Sequence, residues 1–268
     1  RRDGGRVQLG TACLCRMAPA PALLVKGAAQ RVVSDMLRGC TPPPSAAAAT
    51  EPFPHHWTLH VELDRPLAPL RGRTAADESY HLAVAPPPPR AGGVPAVRVR
   101  SPTPWGALHA LTTLRHLMEV EHTVETGEVR VFVPVCEIED GPAHRHRALV
   151  VPFARDAHVL EYAVGGTDPF EGTTRMELRE LLQWIDIGAS LKLNVLHWEV
   201  MAKDENRFVH LLDMIKVVAG YAARRGLQLM PQVHLDHARV PAPARALFLR
   251  NLARVLQGTS PLVHLGPD

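Results

Sequence analysis

The feature that most constrains the fold is a regular alternation of apolar strands and helices after Pro142. Residues 148–153 (ALVVPF) form a short continuous apolar run, which is typical of a strand buried on both faces. Residues 193–200 and 227–234 repeat this pattern, residues 262–266 begin a fourth strand, and the intervening segments have apolar residues at helical spacing. Such alternation predicts parallel strands with right-handed crossovers, either in a doubly wound sheet or in a (β/α)₈ barrel.

The first 140 residues follow a different pattern, in which short strands with one polar face surround two helices. Residues 28–37 have helical spacing, and Pro104 opens a second helical stretch. Alternation of apolar and polar residues predicts half-buried strands at 57–63, 79–84, 94–100 and 129–135. We therefore expect a small α+β domain at 1–140, followed by parallel α/β structure at 141–268.

Charge and composition exclude several classes of function. The net charge of +3 comes from 30 basic and 27 acidic residues spread along the chain, whereas nucleic-acid binding usually needs a concentrated basic face. No apolar run approaches the ~20 residues of a membrane span. The four cysteines lack metal-ligand spacing, and neither His144 and His146 nor His234 and His237 has an evident second shell. We predict no nucleic-acid partner, no membrane span, no metal and no cofactor.

The carboxyl ends of the four predicted parallel strands are unusually polar. Function in parallel α/β folds sits at these ends, so four polar ends in succession predict a pocket. The alternative is that such residues only cap helices or meet solvent. The polar residues are Arg155 after the first strand, His197, Trp198 and Glu199 on the second, Gln232, His234, Asp236 and His237 on the third, and His264 and Asp268 on the fourth.

Six motifs occur in an order that covers nearly the whole chain. They are residues 77–82 (DESYHL), 105–114 (WGALHALTTL), 137–140 (EIED) with 146–147 and Arg155, 192–198 (KLNVLHW), 222–226 (AARRG) and 262–266 (LVHLG). In this order they resemble the family-20 glycoside hydrolases, the β-N-acetylhexosaminidases. The resemblance implies a small α+β domain before a barrel, and retaining hydrolysis in which the substrate's acetamido oxygen attacks the anomeric carbon. An Asp then steadies the oxazolinium, and the following Glu is the general acid and base.

Carried over residue by residue, the resemblance assigns part of a sugar site. Arg147 matches the sugar-binding Arg, and Asp268 matches the Asp that orients the acetamido group. His197, Trp198 and His237 are the further candidates for substrate binding, although core packing is an equal alternative for Trp198. The acid/base Glu would follow Asp268, where the sequence ends.

Several positions depart from the family pattern in the same direction. Pro152 replaces the Asp of the first strand, Glu199 replaces the second His of H-W-H, Gln232 replaces the acid of the third strand, and Pro267 replaces a Gly. Loss of a carboxylate removes charge that a cationic transition state needs. We therefore favour a catalytically inactive relative that serves as a structural or binding subunit of a larger assembly. The alternatives are a fragment of an active hexosaminidase and an unrelated parallel α/β binding domain.

The length of the carboxyl-terminal part predicts an incomplete barrel that needs a partner. Residues 145–268 are about half of the ~250 residues that a (β/α)₈ barrel takes, so we expect four strands and about half of a TIM-type barrel. Another chain or segment would complete it, and a glycan containing N-acetylhexosamine is the expected ligand.

The resemblance implies a lysosomal or secreted protein, whereas the basic, acid-poor residues 1–34 are also typical of an organellar, for example mitochondrial, transit segment. An ordinary first strand and helix remains the preferred interpretation of that segment.

Overall fold

The computed structural model describes residues 5–9, 12–18, 23–39, 56–64, 77–88, 93–123, 128–151, 178–202, 208–235, 240–256 and 264–265. The chain divides into two compact units. The amino-terminal unit contains residues 1–68 and 75–143, and the carboxyl-terminal unit contains residues 69–74 and 144–268.

The amino-terminal unit is an α+β structure with two sheets. Its elements are β1 (Arg6–Leu9), β2 (Ala12–Ala18), α1 (Leu23–Gly39), β3 (His56–Leu63), β4 (Tyr80–Ala85), β5 (Ala96–Ser101), α2 (Pro104–Leu117), β6 (Glu119–Thr123), β7 (Glu128–Pro134) and β8 (Cys136–Asp140). One sheet has the order β2-β3-β5-β4-β8, and the other has the order β1-β7-β6. Alternate residues of the larger sheet, such as Trp57, Leu82 and Val99, are buried in the core of the unit.

Hydrogen bonds around α2 and β4 connect three of the sequence motifs. The Thr103 side chain caps α2 by accepting a hydrogen bond from the Gly106 amide, and Pro104 follows at the first position, as the sequence predicted. Glu78 of the DESYHL motif lies 3.2 Å from the His109 ring nitrogen of α2, and both side chains are buried. Tyr80 donates a 2.7 Å hydrogen bond to Asp140 of the EIED motif. These polar residues therefore act in packing the amino-terminal unit.

Gly106 stands where α2 comes closest to the strands. A Cβ at this position would lie 2.2 Å from the carbonyl oxygen of Ser79 and 2.3 Å from the Ser101 hydroxyl oxygen. That hydroxyl in turn lies 2.8 Å from the carbonyl oxygens of Ser79 and Thr103. The Gly of the WG pair is thus explained by a close approach that leaves no room for a side chain.

The carboxyl-terminal unit alternates strands and helices, as the sequence predicted. Its elements are β9 (Ala148–Val151), α3 (Leu178–Ser190), β10 (Val195–Ala202), α4 (Phe208–Arg225), β11 (Gln228–Leu235), α5 (Ala242–Leu256) and β12 (His264–Leu265). The four strands are parallel and have the order β12-β11-β10-β9. Neighbouring strands thus follow each other in the chain, as they do around a TIM-type barrel.

One face of this sheet packs against the helices. Leu196, Leu229 and Val233 of the strands are almost completely buried with Ile185 of α3 and Ile215 of α4. These contacts form the core of the carboxyl-terminal unit. They also settle which alternate residues of each strand point toward the helices and which point away.

Candidate functional site

The face of the sheet away from the helices carries most of the polar side chains of the described strands. Register places Val150, His197 and Met230 in one row across β9, β10 and β11, and it places Glu199 beside Gln232. Successive residues of a strand alternate between faces, so these residues share the face opposite Leu196 and Leu229. We call Val150, His197, Glu199 and Gln232 the open face.

Trp198 lies on the other face, which packs against the helices. It is 5% exposed and belongs to the core that the strands form with the helices. Its register partners are Val151 and Pro231, which are also buried. This burial supports the alternative of core packing, and the role of Trp198 in lining a sugar pocket stays a prediction.

His197 begins a short polar row on the open face. It is half-buried, and its ring meets the ring of His146 edge-on, with 6.4 Å between the centroids. Glu199, which is also half-buried, lies two residues further along β10, roughly 7 Å away by strand geometry. Together with the Gln232 amide, these groups can donate and accept hydrogen bonds, as a polar ligand such as a sugar requires.

Arg147 lies at the amino end of β9, away from the carboxyl ends where a parallel sheet places its site. Its guanidinium donates hydrogen bonds to the carbonyl oxygens of Lys192 (2.9 Å) and His144 (2.7 Å). Its amide donates to the side-chain oxygen of Asn194, and its carbonyl accepts from the amides of Asn194 and Val195. In this structure the donors of Arg147 hold the starts of β9 and β10 together, and its sugar-binding role stays a prediction.

We expect Arg147→Met to lower the stability of the carboxyl-terminal unit by about 1 to 3 kcal/mol, because backbone carbonyls lose charged donors. Thermal unfolding followed by circular dichroism measures the change. Arg250→Met is the matched control, since Arg250 is exposed on α5. A decrease in affinity for N-acetylglucosamine at unchanged stability would contradict this structural role.

The candidates Asp268 and His237 lie outside the described residues. Within the described part of the chain, no three His, Cys, Asp or Glu side chains are close enough to hold a metal ion. Burial raises the pKa of the Cys136 thiol, which disfavours the thiolate that metal binding or nucleophilic attack needs.

No helix in the described ranges is long and apolar enough to cross a membrane.

Comparison with known proteins adds sequence similarity to this geometry. No protein-family model matches the chain. A β-hexosaminidase of Emericella nidulans is 27% identical over 212 residues, which are 73% of this chain and 30% of that protein. A probable β-hexosaminidase of Arthroderma benhamiae is 26% identical over 175 residues, which are 59% of this chain and 24% of that protein. The chain is family-20 glycoside hydrolase-like.

Solved structures show that the fold of this hexosaminidase-like chain is also that of the family. The β-N-acetylhexosaminidase of Bacteroides fragilis superposes with a TM-score of 0.57 at 16% identity, over 100% of this chain and 55% of that chain. The family-20 enzyme of Streptomyces coelicolor gives a TM-score of 0.54 at 16% identity, over 85% of this chain and 43% of that chain. The hexosaminidase-like chain thus spans 24 to 30% of these two curated relatives and about half of these solved structures.

Asn194 has a role that the sequence did not reveal. The KLNVLHW motif contains it, but the pattern assigns it no function. The structure buries Asn194 and directs its amide to the carbonyl oxygen of Arg145, while its oxygen accepts from the Arg147 amide. An Asn between the apolar residues Leu193 and Val195 was the available signal, because a buried amide needs hydrogen-bond partners. In this hexosaminidase-like chain the motif therefore positions two strands.

Proposed function

We propose that the chain is a hexosaminidase-like module that does not hydrolyse glycosides and serves as a structural or binding subunit of a larger assembly. The pairing of Glu199 with Gln232 on the open face carries this proposal. The resemblance places a His and a carboxylic acid at these two positions. An amide does not act as a general acid or base and lacks the full negative charge with which a carboxylate stabilises a developing cation, so Gln232 weakens the chemistry that this face could perform.

The apolar half of the same strands supports the proposal. Leu196, Leu229 and Val233 alternate with the replaced polar positions and fill the core that faces the helices. The two replaced positions that the structure describes, Glu199 and Gln232, thus lie on the face away from the helices, whereas the face that packs against the helices keeps its apolar residues. This combination fits a protein whose shape is retained for a role other than hydrolysis.

The ligand and the partner follow from the same face. His197, Glu199 and Gln232 offer hydrogen bonds to hydroxyl and acetamido groups, so a glycan containing N-acetylhexosamine is the proposed ligand. Four strands are about half of a (β/α)₈ barrel. We therefore propose that another chain or segment covers the remaining edges of this sheet.

The full chain is expected to release no product from a chromogenic N-acetylglucosaminide above the rate of the uncatalysed reaction. The assay is run beside Asp268→Asn, which removes the candidate acetamido-orienting carboxylate, and beside a Gln232→Glu variant. Turnover by the unaltered chain that disappears in Asp268→Asn would show a working site and overturn the proposal. Equal traces in both would identify a contaminating enzyme.

A second candidate is supported by the fraction of the curated relatives that the chain spans, 24 to 30%. In this alternative the chain is part of an active β-N-acetylhexosaminidase that removes terminal N-acetylhexosamine. The same assay on a longer polypeptide from the same transcript, if one exists, separates the two. Hydrolysis by the longer polypeptide alone would favour the fragment over the inactive subunit.

A further inference from the structure

The backbone on both sides of the exposed residue His146 is fixed by one buried side chain. The Asn194 amide donates a 2.7 Å hydrogen bond to the carbonyl oxygen of Arg145, and its oxygen accepts a 2.9 Å bond from the amide of Arg147. His146 is the residue between these two bonds. Because Asn194 is buried, loss of either partner would be costly. An exposed imidazole is thus attached to backbone that has little freedom.

The turn that follows α3 holds the same segment from a second side. The Arg147 guanidinium donates to the carbonyl oxygens of Lys192 (2.9 Å) and His144 (2.7 Å), so residues 144–147 are tied to this turn and to themselves. Lys192 has a φ of 58°, which is costly for a residue other than glycine, whereas the turn after α4 has Gly226 at a φ of 82°. Such strain persists where the surrounding contacts fix the backbone, and the bond from Arg147 is one of these contacts.

The ring of His146 meets the ring of His197 on the open face. The centroids are 6.4 Å apart and the ring planes are at 86°, which is the edge-on arrangement that aromatic rings prefer. The two nitrogens of an imidazole point in different directions, so rotation of the ring decides which of them meets a ligand. An edge-on neighbour restricts this rotation. The orientation of His197 therefore depends on a residue outside its own strand.

We propose that His146 is a positioning residue of the open face, which holds the His197 ring in the orientation that receives a ligand. The inference rests on the proposed function, in which His197 forms a hydrogen bond with N-acetylhexosamine. An imidazole that turns freely loses this freedom when it binds, whereas an imidazole held by a neighbour has already lost it, and its affinity is higher for that reason. Asn194 and Arg147 contribute indirectly, since they fix the segment that carries His146.

Nuclear magnetic resonance of the full chain with isotope-labelled histidine tests the ring contact. We expect a nuclear Overhauser cross-peak between ring protons of His146 and His197, assigned with the variants His146→Ala and His197→Ala. Relaxation of the ring carbons is expected to show a His197 ring that is rigid in the unaltered chain and mobile in His146→Ala. His144→Ala is the matched control, because His144 is an exposed histidine of the same segment. Circular dichroism confirms that the variants fold.

Titration with N-acetylglucosamine measures the consequence for binding. His146→Ala is expected to weaken binding about three- to tenfold, as loss of an aromatic pair does, and His144→Ala is expected to leave it unchanged. His146→Phe keeps a ring beside His197 and is expected to restore most of the affinity. Equal affinities of the unaltered chain and His146→Ala would overturn the proposal. A loss that phenylalanine does not restore would also overturn it, because His146 would then contact the sugar itself.

The ring measurements separate this proposal from the proposed function on which it rests. An unaltered chain that does not bind N-acetylglucosamine would contradict the proposed ligand. The role of His146 is then decided by the His197 ring, which must become mobile in His146→Ala and stay rigid in His144→Ala. Absence of the cross-peak, or equal mobility of His197 in these two variants, would overturn the positioning role whether or not the sugar binds.

Discussion

Replacing Gly106 with alanine is expected to lower the free energy of unfolding of the amino-terminal unit by about 3 kcal/mol, because overpacking forces backbone to move. The added Cβ would lie 2.2 Å from the Ser79 carbonyl oxygen and 2.3 Å from the Ser101 hydroxyl oxygen. The Ser79 carbonyl oxygen belongs to the backbone and cannot rotate away as a side chain can, so α2 must shift away from the strands. Chemical denaturation and hydrogen exchange in α2 and β4 measure the effect.

Gly27→Ala is the matched control for this change. Gly27 lies in α1 of the same unit, and a Cβ there meets only the end of the Arg31 side chain at 3.5 Å. Because alanine has the higher helix propensity, the control is expected to be neutral or to stabilise by up to about 1 kcal/mol. Equal effects of the two substitutions would show that the close approach at Gly106 does not limit stability.

Replacing Trp198 with alanine is expected to destabilise the carboxyl-terminal unit by about 3 to 5 kcal/mol, as cavities left by large aromatic residues do. Trp198 is buried in the core between the sheet and the helices. A pocket-lining tryptophan would instead lose affinity for sugar with little change in stability. Hydrogen exchange of β10 and α4, measured as denaturant is added, reports the stability of this unit.

Leu247→Ala is the control for the tryptophan substitution. Leu247 is exposed on α5 of the same unit, so its truncation is expected to cost about 0.5 kcal/mol or less. If Trp198→Ala were as mild as this control and only weakened binding of N-acetylglucosamine, the assignment of Trp198 to the core would be wrong.

The longer elements of the fold could be predicted from the sequence because their periodicity is clear. The helix opened by Pro104 and all four parallel strands are at the predicted places. β8 (Cys136–Asp140) was missed, since it follows β7 after a single residue and carries three acids. Its acidic side chains are explained only by pairing with β4, where Glu137 meets the His81 ring at 2.8 Å. Such a neighbour is set by the topology and is not visible in a local pattern.

The candidate site was harder to predict because it depends on which face of the sheet meets the helices and on where β9 begins. Alternation along residues 195–199 shows that His197 and Trp198 face opposite sides, but it does not tell which side meets the helices. The position of Arg147 depends on where β9 begins. This matters because sites in parallel α/β folds lie at the carboxyl ends of the strands. Burial of Leu196 and the hydrogen bonds of Arg147 supply this information.

The pairing of β1 with β7 has a consequence for how the chain is made. Arg6 is the register partner of Pro134, which lies 128 positions later (134 − 6), so β1 stays without its neighbour until that further length of chain has left the ribosome. Closing a loop of that length is entropically costly, and contacts between distant residues slow folding. During synthesis β1 therefore stays unpaired until β7 has been made. A chaperone would protect the chain most during this interval.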